Sequence, residues 1–323
     1  PCATRGRGGG VWLAGAGFAR NWGGLAAERP GEGIAKALAV RPEIRIIDYT
    51  GSTAFGDWLE THARQAQVYT EKAGVNTVIV ESTDDYKGML SNLAFSLSLY
   101  SGQMCTTPQN LLIPRDGIRT EEGTKSYDEV VADLARSVDG LLGDDARANG
   151  LLGAIVNPDV KARLEAAAGL GEVALASREV GNPEFPDAVV RTPVIVKLDG
   201  ARKYWEGADD EAAYMNECFG PVSFAVAVDS AGDAVELLRR TVREKGAMTV
   251  GAYTTDEGVE EAVREACLEE CAQLSLNLTG GVYVNQTAAF SDFHGSGGNP
   301  AANAALCDGG FVANRFRVVE VRR

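Results

Sequence analysis

The chain has 323 residues, with 31 Lys and Arg against 45 Asp and Glu, a formal charge of −14 at pH 7 and 45% hydrophobic content. That acid excess excludes a general nucleic-acid or anionic-membrane surface, since both need a basic footprint. No apolar run reaches the roughly 20 residues of a membrane-spanning helix, and length alone allows one large or two medium domains.

At the N-terminus Arg5 and Arg7 precede "GGGVWLAGAGFA", loosely the order of a secretory leader. Glycines interrupt the apolar part, so the expectation is a protein without one. From residue 25, short apolar runs alternate with amphipathic stretches. "IRIIDY" (44–49) reads as a strand, followed by "TGS" and a helix from about Thr53 to Lys72. "NTVIVE" (76–81) is the next strand, Asp84 to Leu99 a helix with one buried face, and "NLLIP" (110–114) another strand. Ser126 with Glu129 fits a capping box opening "YDEVVADLARSV". Asn157 followed by Pro158 fits the start of "DVKARLEAAAG".

The pattern continues with "PVIVKL", "SFAVAV", the helix "AGDAVELLRRTV", "MTVGAY", the helix "EGVEEAVREACLEECAQL" (257–274) and the strand "GVYVN" (281–285). "GSGGN" (295–299) reads as a loop. "NRFRVVEVRR" (314–323) alternates like a strand with one wet face. Strands alternating with helices predict an α/β fold with a mostly parallel sheet.

Six cysteines, Cys2, Cys105, Cys218, Cys267, Cys271 and Cys307, show no CxxC spacing and read as the reduced thiols of a cytoplasmic protein. Cys105 lies in "SGQMCTTPQNLLIP", after a Gly102-Gln103 turn and before two threonines. That setting suits either a packed thiol or a nucleophile. Only two histidines are present, His62 and His294. His62 reads as a surface residue and nothing ties His294 to Cys105, so a histidine base has no clear source. No metal-ligand spacing occurs, and no metal site is expected. A carboxylate remains as the base. Glu71, in "YTEKAGVNTVIVE", is placed at a helix end, 105 − 71 = 34 residues before Cys105. An intervening strand and helix can return the chain to the same end of a sheet.

The paired segments "YTEKAGVNTVIVE" and "SGQMCTTPQNLLIP" resemble the glutamate and cysteine signatures of the aldehyde dehydrogenase superfamily, at that family's spacing. "DYTGS" (48–52), "NECFGPV" (216–222) and "HGSGGNPAA" (294–302) resemble three further family segments, in the same order. "RIIDYTGSTAFGDWLE", "GQMCTTPQNLLIPRDGI" and "ECFGPVSFAVA" are closest in wording to the ring-opening branch of phenylacetic acid degradation. The resemblance implies NAD(P)-dependent oxidation of an aldehyde to a carboxylic acid through a cysteine thioester, the aldehyde being a semialdehyde of aromatic catabolism.

By the same resemblance Cys105 is the nucleophile and Glu71 the general base. Gly51 and Ser52 line the cofactor cleft, Glu217 binds the ribose hydroxyls of NAD or NADP, and Phe219 packs near the nicotinamide. "RPGEGIAKAL" offers Gly31 and Gly33 at the start of a helix as a phosphate turn. A homo-oligomer joined through the C-terminal strand is implied, with a small aldehyde as substrate and neither nucleic acid nor membrane as partner.

Only 70 residues precede Glu71, fewer than in the family, and the segment supplying the side-chain oxyanion donor is missing. The expected architecture is therefore an N-terminally truncated member. Residues 1–72 would form a partial Rossmann-type cofactor domain, 73–290 the catalytic domain, and 291–323 a Gly-rich loop with the tail strand. Two other readings stand beside oxidation: an inactive fragment or assembly subunit, and a CoA-acylating enzyme.

Overall fold

Strands rich in Val, Ile and Leu form the centre of the structure because both of their faces are buried. The computed structural model describes residues 24, 26, 32–72, 74–201 and 212–285. They fall into two units: those up to Tyr49 with Ala54–Tyr69, and Thr50–Thr53 with those from Thr70 onward.

The first unit opens with the short helix α1 (Ile34–Ala39), which starts at Gly33 in the left-handed region, φ 70°. Strand β1 (Ile46–Gly51), helix α2 (Thr53–His62) and strand β2 (Gln67–Lys72) come next along the chain, β1 pairing with β2, and the last residues of both strands, Glu71 included, belong to the second unit. Along α2, Phe55 stacks on Trp58 and Trp58 on His62, with centroids 5.7 and 4.7 Å apart, and Lys36 lies 5.1 Å over the Trp58 ring. The helix expected to run to Lys72 thus ends ten residues early. "QVYTE" carries β-branched and aromatic residues that fit a strand better than a helix turn, and Glu71 sits on β2.

The second unit is built on β3 (Thr77–Val80), helix α3 (Tyr86–Ser98) and β4 (Asn110–Pro114). A hairpin of β5 (Ile118–Thr120) and β6 (Gly123–Lys125) leads into α4 (Tyr127–Leu142), α5 (Asp145–Leu151) and α6 (Pro158–Ala167). Then come β7 (Glu172–Leu175), β8 (Val194–Asp199), β9 (Val222–Val228), α7 (Ala231–Lys245), β10 (Val250–Tyr253), α8 (Glu257–Glu269) and β11 (Leu274–Leu276). Seven strands make one sheet in the order β11-β10-β3-β4-β9-β8-β7, parallel except for β7 at one edge.

Alternation sorts the core. Ile79, Leu112, Phe224 and Val226 pack with α6, α7 and α8 on one face, through Leu164, Leu238 and Val263. Val78, Leu111, Ile113, Ile195 and Ala225 pack with α3 and α4 on the other, through Leu93, Leu97 and Leu134. The helix starts are capped as the sequence predicts. Ser126 and Glu129 close a full capping box, and Asn157 accepts from Asp159 N at 2.9 Å ahead of Pro158.

Two local expectations change. Helix α8 stops at Glu269, Cys271 turns left-handed (φ 55°), and the chain returns as β11. β11 takes the place beside β10, and "GVYVN" is not a strand. Cys267 is buried in the core, as a packing residue would be. The "GSGGN" loop, His294 and the "NRFRVVEVRR" segment lie outside the described residues. No helix among the described residues is long and apolar enough to cross a membrane.

Candidate active site

Register brings the site together. Val250, Thr77, Asn110 and Phe224 stand side by side on β10, β3, β4 and β9. The residues just ahead of them therefore meet along the amino ends of these strands. The carboxyl ends, where doubly wound sheets commonly hold ligands, face the other way.

Asn76 is the hub of that edge. Its Nδ2 donates to the carbonyls of Cys105 (2.7 Å) and Thr107 (3.0 Å), and its Oδ1 accepts from the N–H groups of Met248 (2.9 Å) and Thr249 (3.0 Å). One buried amide thus ties the cysteine segment to the segment before β10. An amide can satisfy four partners, and this one does.

Cys105 occupies the head of a tight turn closed by Thr107 N donating to Met104 O at 3.1 Å. Its side chain packs against Met248. The chain arrives through a strained run: Tyr100 (φ 53°) and Ser101 (φ 55°) are left-handed, and Gly102 (φ 62°) follows them. Such conformations cost non-glycine residues roughly 1–2 kcal/mol each and persist only where neighbours enforce them. Ser101, fully buried, supplies that enforcement. Its hydroxyl donates to the carbonyls of Gly153 (2.9 Å) and Arg191 (3.2 Å) and accepts from Gly153 N (3.2 Å).

A recess of about 20 Å³, room for a water molecule, lies between Gly74, Asn76, Cys105, Thr107, Glu217 and Phe219. The Thr107 hydroxyl is buried without a partner among the described residues. Burial pushes the Cys105 thiol above its usual pKa, and the negative charge of Glu71 raises it further. Its own backbone N–H acts in the opposite direction, and Glu217 adds a smaller upward push. That N–H donates to no other backbone group among the described residues. Glu217 makes no hydrogen bond to a described residue, and burial pushes its carboxyl up to about 7 against a smaller downward pull from Arg163.

That shift has a stability consequence. Between pH 4.5 and 7 the folded carboxyl holds a proton that the unfolded one has released, so folding stability from this group falls as pH rises. Glu217→Gln, which mimics the protonated form, should match the parent near pH 4.5. By pH 8 it should exceed the parent by ~1–2 kcal/mol, discounted for partial solvent exposure. Urea unfolding at both pH values reads the difference. An equal gap at the two would show that Glu217 is not desolvated.

Of the residues singled out in the sequence, Cys105, Glu217 and Phe219 line one recess, and Glu71 acts on the Cys105 thiol from β2. Gly51 and Ser52 are exposed at the end of β1 and line no part of it. Gly33 caps a helix of six residues in the first unit, and Gly31 lies outside the described residues. Asn76, Ser101, Gln109 and Arg163 went unnoticed. The available signal was a buried amide before each of two apolar strands, "NTVIV" and "QNLLIP", where a polar residue has no packing reason to sit.

A thiol on a turn, a carboxylate nearby and a second carboxyl across the recess have the parts for covalent chemistry on a carbonyl. The aldehyde dehydrogenase family pattern matches residues 27–306. The chain belongs to the aldehyde dehydrogenase family. The NAD-dependent aldehyde dehydrogenase of Burkholderia multivorans, a solved structure, is 52% identical with a TM-score of 0.89, covering 99% of this chain and 56% of that one. Human aldehyde dehydrogenase family 3 member B1 is 26% identical over 201 residues, 62% of this chain and 38% of that protein. The NAD(+) benzaldehyde dehydrogenase of Pseudomonas putida is 26% identical over 209 residues, 64% of this chain and 39% of that protein. This family member therefore spans about half or less of the relatives it matches.

Proposed function

We propose that the chain carries the cysteine half of an NAD(P)-dependent aldehyde dehydrogenase, oxidising an aldehyde to its carboxylic acid with one water consumed. The observation that carries this reading is the convergence of Cys105, the field of Glu71 and the carboxyl of Glu217 on one recess. Cys105 Sγ adds to the aldehyde carbon, and its proton leaves to solvent or to a carboxylate. The backbone N–H of Cys105 is the donor for the oxygen that becomes anionic. When bound, the nicotinamide nucleotide supplies the hydride acceptor that leaves the acyl group on Cys105 as a thioester. Glu71 then takes a proton from the water that releases the acid.

Glu217 fits a nucleotide by its chemistry. A desolvated carboxyl with no hydrogen bond to a described residue is an acceptor for vicinal ribose hydroxyls, and Phe219 gives an apolar wall beside it. The substrate proposed is an aromatic-pathway semialdehyde, supported by the wording shared with the phenylacetate branch. The name of the Pseudomonas putida relative also specifies an aromatic aldehyde.

The test offers aromatic and aliphatic semialdehydes with NAD+ and with NADP+, and follows reduced cofactor together with the intact mass of the chain. Glu71→Gln should accumulate one acyl group on the Cys105 peptide. Reduced cofactor from no aldehyde, with no adduct on either protein, overturns the reading.

A further inference from the structure

The loop that carries Glu217 and Phe219 has little structure of its own. From Glu217 to Phe219 it makes no backbone–backbone hydrogen bond among the described residues. Side chains hold it instead. Gln109 Oε1 accepts from Cys218 N at 2.6 Å, and Gln109 Nε2 donates to Asn216 O at 2.9 Å. Asn216 is extended (φ −111°, ψ 143°), so its C=O and the N–H of Cys218 face the same way, as they do along a strand edge. The amide of Gln109 occupies the place that a neighbouring strand would take. From another element, Arg163 Nε on α6 donates to Phe219 O at 3.1 Å.

Gln109 is itself anchored on both sides. Its backbone N donates to Asn76 O at 2.9 Å, and its carbonyl accepts from Phe224 N at 2.8 Å. Next to it, Asn110 Nδ2 donates to Tyr214 O at 2.8 Å, fixing the approach to the same loop. The anchor lies four residues after Cys105, on the segment whose carbonyls Asn76 holds. The nucleophile's segment and the nucleotide loop are therefore joined through one side chain.

We propose that Gln109 is the positioning residue that sets the Glu217–Phe219 loop against Cys105, its side-chain amide serving as a one-residue strand bridge. The nucleotide readout below rests on the proposed function, whereas the thiol readout does not.

Gln109→Met removes both hydrogen bonds at nearly constant volume. Each cysteine is alkylated with iodoacetamide in the folded chain and followed peptide by peptide, and NAD+ affinity is titrated in parallel. Release of the loop should speed Cys218 at least about fivefold, as local opening does. Cys105, which loses one wall of its recess, should speed as well, whereas the core thiol Cys267 should stay within about twofold. Affinity for NAD+ should fall about tenfold, the size of one to two lost hydrogen bonds. An unchanged Cys218 rate overturns the proposal. So does a parallel rise at Cys267, which would mean general loosening rather than a freed loop. If the parent binds no NAD+, the nucleotide reading fails and the clamp is judged on Cys218 alone.

Discussion

Exchange of Cys105 for serine should lower aldehyde-dependent reduction of NAD+ by at least about 10³-fold. A serine hydroxyl needs a base poised beside it, and no histidine among the described residues lines the recess. The companion substitution separates two effects that usually travel together. The charge of Glu71 raises the Cys105 pKa, so Glu71→Gln should lower it and speed alkylation of Cys105 at pH 8 severalfold. The same substitution should slow turnover by about 10²–10³-fold through loss of the base. Opposite movements of the two rates identify a carboxylate that burdens the thiol at rest and serves the water later. If Cys105→Ser keeps its turnover, the covalent mechanism is wrong. If alkylation of Cys105 slows in Glu71→Gln, the electrostatic assignment is wrong.

Gly102→Ala should destabilise the protein by about 3 kcal/mol or more, read by urea unfolding. A Cβ at this position would overlap Gly220 O and meet Gly220 C at 2.8 Å. Both are backbone atoms of the loop that carries Phe219, so neither can swing aside. Overpacking of this kind costs typically 1–3 kcal/mol, and left-handed φ adds roughly 1–2 kcal/mol. Gly123 makes the control, since it also has positive φ (114°) but nothing within 4 Å of the added Cβ. Gly123→Ala should show backbone strain alone, about 1 kcal/mol. Equal effects at the two positions would mean that the loop does not press on Gly102.

Much of the architecture was legible because it rests on short-range patterns. The apolar runs that became β3, β4, β9 and β10 announce themselves by composition, and the caps at Ser126 and Asn157 by side-chain chemistry. The boundary at His62 was missed because α2 and β2 are separated only by a turn containing Ala63 and Ala66, residues that suit a helix equally well. Glu71 was recognised by its wording but set on the wrong element. β11 was missed because three residues carry too little periodicity to stand out.

The site divides in the same way. Cys105, Glu217 and Phe219 could be named from phrases of sequence. Asn76, Ser101 and Gln109 could not, since each acts on backbone groups 29 or more residues away. A hydrogen bond to a distant main chain leaves no periodic trace. Only the strand register, which aligns Thr77 with Asn110 and Val250, makes those meetings necessary.

That register also governs when the thiol becomes guarded. The walls around Cys105 come from residues 74–76, 102–109 and 217–222, and the Asn76 anchor needs Thr249 as well. On a ribosome adding 5–20 residues per second, the 249 − 105 = 144 residues between Cys105 and Thr249 take about 7–30 s to make. During that interval Cys105 is an ordinary thiol on an unfinished chain, without the burial and carboxylates that later hold it protonated. The cysteine is thus most open to chance oxidation while the protein is being born.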